Sequence, residues 1–122
     1  MEYNNDFKFD LSRGKIGEEH LAKILEDKTL EVKTDSWIAR TQNIAVEYES
    51  RGKPSGIATT EADYWVFVFD GRYNKEVILI MDTERLKKIA RDYHSRGSIK
   101  KMGDNNTSVA VLIPLCELIS KV

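Results

Sequence analysis

Residues 30–35 read Leu-Glu-Val-Lys-Thr-Asp and hold the side chains best suited to chemistry. A β-strand turns alternate side chains to opposite faces, so Glu31, Lys33 and Asp35 share one face while Leu30, Val32 and Thr34 share the other. Two acids and a lysine on a strand otherwise fit for burial are costly unless something uses them. Carboxylate oxygens are the ligands that a hard divalent cation takes. A lysine beside them can position a water or offset negative charge as it builds on a phosphate.

The elements that must position this set follow from the surrounding pattern. Asp10 or Ser12 can cap a helix running to about Glu26, with residues 1–10 before it loosely held. Ile16, Leu21, Ile24 and Leu25 form its apolar stripe, and Glu18 falls at the stripe's edge. Strands are expected over Thr29–Asp35 and Asn43–Ser50, with residues 36–42 as the loop between them. If that loop closes a hairpin with residues 35 and 43 as partners, Lys33 faces Ala45 and Glu31 faces Glu47. Glu31, Lys33, Glu47 and Asp35 then form one patch, with Glu18 leaning over it. A one-residue slip would turn Glu47 to the other face.

Beyond the hairpin, Arg51-Gly52-Lys53-Pro54-Ser55-Gly56 is a turn-rich break, followed by a short helical turn near Ile57–Ala62. Tyr64–Asp70 is nearly continuous in apolar residues and reads as a central strand covered on both faces. Gly71-Arg72-Tyr73-Asn74 turns the chain into a second buried strand, Glu76–Met81. Asp82 or Thr83 caps a helix to about His94, with Leu86, Ile89, Ala90 and Tyr93 on its core face. Gly97 ends that region and 103–106 form a loop. Ser108–Ile113 is a strand, and Pro114 opens a short C-terminal helix. The order predicts an α/β fold, one mixed sheet flanked by helices.

The helix-then-sheet order and the Glu31-Val32-Lys33 motif resemble the PD-(D/E)xK nuclease superfamily, which includes restriction endonucleases, phage exonucleases and Holliday-junction resolvases. The likeness covers about Ser12 to Asp70, with Glu18 matching the helical glutamate of some members. It implies a restriction-endonuclease-like fold and a Mg²⁺- or Mn²⁺-dependent phosphodiesterase acting on DNA. It also implies catalytic Lys33 and a metal set drawn from Glu31, Asp35, Glu47 and Glu18. The sequence departs from the family in one respect. Asp27 lies only four residues before Glu31, too close to be the leading acid. A second alignment takes Asp35 as that acid and Glu47-Tyr48-Glu49 as the following pair, with a glutamate in place of the lysine.

Composition sets the outer limits. The chain has 122 residues, enough for one domain with its own core, and no stretch approaches the roughly 20 apolar residues of a membrane span. Its N-terminus, Met-Glu-Tyr-Asn-Asn-Asp, has no apolar signal core. A single cysteine, Cys116, excludes an intrachain disulfide and reads as a buried thiol; a cytoplasmic protein is expected. His20 and His94 have no second histidine at ligand spacing, which argues against zinc.

Net charge is −1, but residues 83–101 hold seven basic and two acidic side chains. Arg51, Lys53, Lys87, Lys88 and Arg91 are therefore candidate contacts to a DNA backbone, against the plainer reading of a solvated helix face and turn. Trp37 is either a base-stacking platform or a half-buried anchor; Trp65 reads as core. A chain this short has no room for a separate DNA-reading domain, so specificity would rest on DNA structure, a partner protein or a homodimer. The rival reading is a non-catalytic nucleic-acid or protein interaction module whose charged strand face is simply solvated.

Overall fold

The computed structural model describes residues 3–71 and 75–120, with side chains from residue 13 onward. The turn expected at 71–74 lies mostly outside the described residues. Helix α1 spans Tyr3–Leu25 and begins well before the expected caps. Strand β1 (Leu30–Thr34), the short α2 (Ile38–Thr41), β2 (Asn43–Ser50) and the two-residue β3 (Lys53–Pro54) follow. A 3₁₀ turn at Gly56–Ala58 leads to β4 (Tyr64–Asp70) and β5 (Glu76–Asp82). The chain ends in α3 (Thr83–Ser95), β6 (Ile99–Met102), β7 (Ser108–Pro114) and α4 (Leu115–Ser120).

These strands make two sheets rather than the single mixed sheet expected. One is three-stranded in the order β1-β4-β5, the other four-stranded in the order β3-β2-β7-β6. β1 lies parallel to β4, with Glu31 beside Trp65 and Lys33 beside Phe67. A parallel pair cannot be closed by a tight turn, so β2 and β3 occur within the crossover that returns the chain to β4.

The expected β1–β2 hairpin does not form, and the reason is local. Residues 36–42 contain a helical turn whose Ile38 is buried, closed by Gln42 in the left-handed conformation (φ 62°). Its amide donates to the Ile38 carbonyl at 2.8 Å, and its own carbonyl accepts from Leu115 at 2.8 Å. This anchored turn sends the chain into the second sheet, so Glu31 and Glu47 are not cross-strand partners; Glu47 stands opposite Ala110.

The core lies mainly under α3. Leu86, Ile89, Ala90 and Tyr93 are buried, as their spacing predicts, in one cluster with Ile44 and Val46 of β2, Val111 and Ile113 of β7, and Leu118. Asp82 caps α3 by accepting the Arg85 amide at 2.9 Å, which satisfies one of the free N–H groups of its first turn. Trp65, Phe67 and Phe69 of β4 extend the cluster into the three-stranded sheet.

Three further expectations are corrected. β5 is an edge strand with Ile78 and Ile80 exposed on an outer side that nothing among the described residues covers, and with Val77 exposed on the opposite side. The α1 stripe of Ile16, Leu21 and Ile24 is likewise exposed rather than in the core. Cys116 is exposed, since in α4 it is Leu118 that turns inward.

Candidate functional site

A cleft of about 770 Å³ opens between the two sheets, and it is built by strand alternation from both sides. β1 contributes Lys33, with Asp35 just past its end; β2 contributes Asn43, Ala45 and Glu47, while Ile44 and Val46 turn the other way to the core. Trp65 and Phe67 give the cleft an apolar floor, and Lys100 and Lys101 of β6 form part of its wall.

Lys33, Asp35 and Glu47 are each held. Lys33 Nζ pairs with Glu31 Oε1 at 3.0 Å and lies 5.4 Å from the centre of the Trp65 ring, so the floor steadies the ammonium from below. Asp35 Oδ1 accepts the Trp37 amide at 2.7 Å, a local turn bond that fixes the carboxylate at the cleft mouth. Glu47 Oε2 accepts the Ser55 hydroxyl at 3.0 Å.

The backbone behind Glu47 is as closely set as its carboxylate. β2 is bulged between Glu47 and Glu49, and Gly56 (φ +52°) packs so tightly on the Glu47 carbonyl that a Cβ at position 56 would collide with it. The Ser55-Gly56 step therefore positions an acidic side chain of the cleft. The sequence marks it as part of a turn or of a phosphate-contacting loop at 51–56, with no sign that β2 passes beside it.

Of the residues singled out from the sequence, Lys33, Asp35 and Glu47 meet in this cleft. Glu31 reaches it only through its pair with Lys33. Glu18 is exposed on α1 and does not line the cleft. Arg51, Lys53, Lys88 and Arg91 are exposed elsewhere, and Lys87 pairs with Glu84 at 3.5 Å. Lys100 and Lys101 were counted within the basic segment but not singled out, because β6 is four residues long and carries no strand signal of its own. Trp37 is exposed at the cleft with the Arg40 guanidinium 4.9 Å from its ring centre.

Among the described residues, no three His, Cys, Asp or Glu side chains converge as a preformed cation cage would require. Asp35 and Glu47 both line the cleft, and carboxylates are the residue type that a magnesium-like ion takes, one or two at a time, with water and phosphate oxygens in its remaining positions. Each carboxylate has one oxygen outside the hydrogen bonds just described.

Among the described residues, two titratable groups have displaced pKa values, and both lie outside the cleft. Hydrogen bonds from the Thr29 amide and hydroxyl hold Asp63 below the usual aspartate range. The Tyr93 hydroxyl donates to Glu117 Oε2, and this bond, with burial, pushes Tyr93 above the usual tyrosine range.

No family model matches this chain, and comparisons with curated proteins and with solved structures return no match.

Proposed function

We propose that the chain is a metal-dependent nuclease that hydrolyses phosphodiester bonds in DNA within the cleft between its two sheets. The observation that carries this reading is the meeting of Asp35, Glu47 and Lys33, from separate sheets, in one cleft with Lys100 and Lys101 on its wall. The PD-(D/E)xK resemblance of the sequence agrees with it and brings with it a restriction-endonuclease-like fold, while the single cysteine agrees with a cytoplasmic setting. Asp35 and Glu47 would hold a Mg²⁺ or Mn²⁺ ion, which when bound polarises the phosphate and lowers the pKa of a water.

The remaining roles belong to the chain itself. Lys33 positions the attacking water or the scissile phosphate, its ammonium kept in place by Glu31 and the Trp65 ring. Lys100 and Lys101 hold neighbouring backbone phosphates without reading sequence. Trp37 offers a face for an unstacked base. Ser55 and Gly56 keep Glu47 in position.

A second reading is favoured by a specific observation: Lys33, Asp35 and Glu47 are each already engaged within the protein. On that reading the cleft belongs to a non-catalytic nucleic-acid module. Incubation of labelled single-stranded, duplex and branched DNA with Mg²⁺, with Mn²⁺ and with chelator separates the two. The nuclease reading expects metal-dependent cleavage that is lost in Lys33→Ala and Asp35→Asn while circular dichroism stays unchanged. DNA binding with no cleavage in either metal would assign the cleft to the module.

A further inference from the structure

Among the described residues, two apolar surfaces face solvent. The first is the outer face of the three-stranded sheet. There the register sets Val32 and Ile80 on either side of Val66, which is itself buried, and Ile78 beside the half-buried Val68. Leu30 is 46% exposed, Val32 56% and Ile78 57%, although a sheet face built of aliphatics is ordinarily covered. The second is the stripe of α1, where Ile16 is 62% and Leu21 52% exposed.

The dimensions of the two surfaces agree. Three strands at roughly 4.8 Å spacing make a face about 10 Å across, the diameter of one helix. At 100° per residue Gly14 and Gly17 fall within the same stripe as Ile16, Leu21 and Ile24. Nothing lies within 4 Å of where a Cβ would stand on either glycine. Glycines inside a helix weaken it, and here they leave room for another backbone or side chain to approach closely.

The helix is also held away from its own sheet. The link from α1 to β1 is residues 26–29. Asp27 turns there in the left-handed conformation (φ 57°), and the Lys28 amide donates to the Leu25 carbonyl at 3.2 Å. Thr29 is then bonded to Asp63 in both directions, its amide to Asp63 Oδ2 at 2.9 Å and its carbonyl from the Asp63 amide at 2.9 Å. With this turn in place Ile16, Leu21 and Ile24 stay exposed, so α1 does not cover its own sheet.

We propose that two copies of the chain form a two-fold dimer in which the α1 stripe of each covers the outer sheet face of the other. The exchange makes the same contact twice. Patches of about 300–400 Å² then bury roughly 1,200–1,600 Å² in all, the size of a standard specific interface. An isologous arrangement of this kind closes on itself and leaves neither apolar surface open.

Sedimentation equilibrium of the full chain tests the proposal, and it does not depend on any nuclease activity. The parent is expected at twice its monomer mass. Leu21→Glu with Ile24→Glu on the helix, and Ile78→Glu on the sheet, should each raise the dissociation constant at least 100-fold. Their positions are exposed within one chain, so circular dichroism should show both variants folded.

Cross-linking fixes the arrangement. With Cys116→Ser, a chain carrying Leu21→Cys and Ile78→Cys is treated with a short bismaleimide. Links between chains are the expected result. A parent of monomer mass, a link within one chain, or no link at all overturns the proposal.

Discussion

The two faces of the four-stranded sheet are made from alternate residues of the same strands and have opposite characters. Ile44, Val46, Val111 and Ile113 lie under α3 and are fully or almost fully buried. Between them Asn43, Ala45, Glu47 and Leu112 turn to the cleft, which also receives Lys100. One face is closed by the chain itself. The other carries polar groups in a concavity large enough for a ligand. The contrast separates residues that hold the fold from residues free to act on something else, and it can be broken from either side.

The largest effect should come from the covered face. Ile113→Ala leaves a cavity in a close-packed layer and should cost about 2–5 kcal/mol of stability, read from urea unfolding. A loss below about 1 kcal/mol would mean that α3 does not seal this face. Cleft substitutions should behave in the reverse way. Lys33→Ala gives up a partly exposed ion pair, worth about 0–1 kcal/mol, yet on the proposed function it should lower cleavage by about 100-fold or more. If instead Lys33→Ala unfolds the protein and a refolded fraction cleaves normally, the faces have been assigned the wrong way round.

The two basic regions allow a finer version of the same comparison. Lys100 and Lys101 line the cleft, whereas Lys88 and Arg91 stand exposed on α3. Changing Lys100 and Lys101 together to Ser should reduce the slope of log affinity for duplex DNA against log salt by about 1.8, from two lost phosphate contacts. The Lys88→Ser, Arg91→Ser pair should leave the slope unchanged. Equal slopes for the two double variants would place the DNA track elsewhere.

Much of the element map was legible because period and punctuation agree. β2 and β4 occur where alternation and the apolar run place them, and α3 has the expected cap and core face. Lys33, Asp35 and Glu47 were legible as residue types with a use. Their meeting place was not, because the hairpin that would have joined them is replaced by a turn whose cause, burial of Ile38 and a left-handed Gln42, has no periodic signal. Ser55 and Gly56 went unread for a related reason: the close approach of Gly56 to Glu47 follows from the bulge in β2, and a bulge cannot be seen in alternation alone. β6 was missed because Ile-Lys-Lys-Met is too short and too polar to show a period.

The smallest expected effect contrasts the two sides of the molecule through pH. At the α1–β1 junction, bonds from Thr29 favour the charged form of Asp63 and lower its pKa in the folded state. In the window between its folded and unfolded values the unfolded chain binds more protons. The stabilisation by this group is therefore present above the ordinary aspartate pKa, about 4, and is lost as pH falls through the depressed folded value. On the α3–α4 side, Tyr93 donates to Glu117, which favours the neutral phenol and raises its pKa. That contribution is present below the ordinary tyrosine pKa, about 10, and is lost as pH rises through the raised folded value. Asp63→Asn should thus lower the urea midpoint at pH 7 and approach the parent in strong acid, while Tyr93→Phe should lower it at pH 7 and approach the parent in alkali. Both groups sit on hydrogen bonds that a neutral substitute makes less well or not at all, so the opposite pH dependence is the diagnostic feature. If Asp63→Asn costs the same at every pH, charge plays no part in holding the junction, and its rigidity rests on the backbone bonds between Thr29 and Asp63 and on the left-handed turn at Asp27.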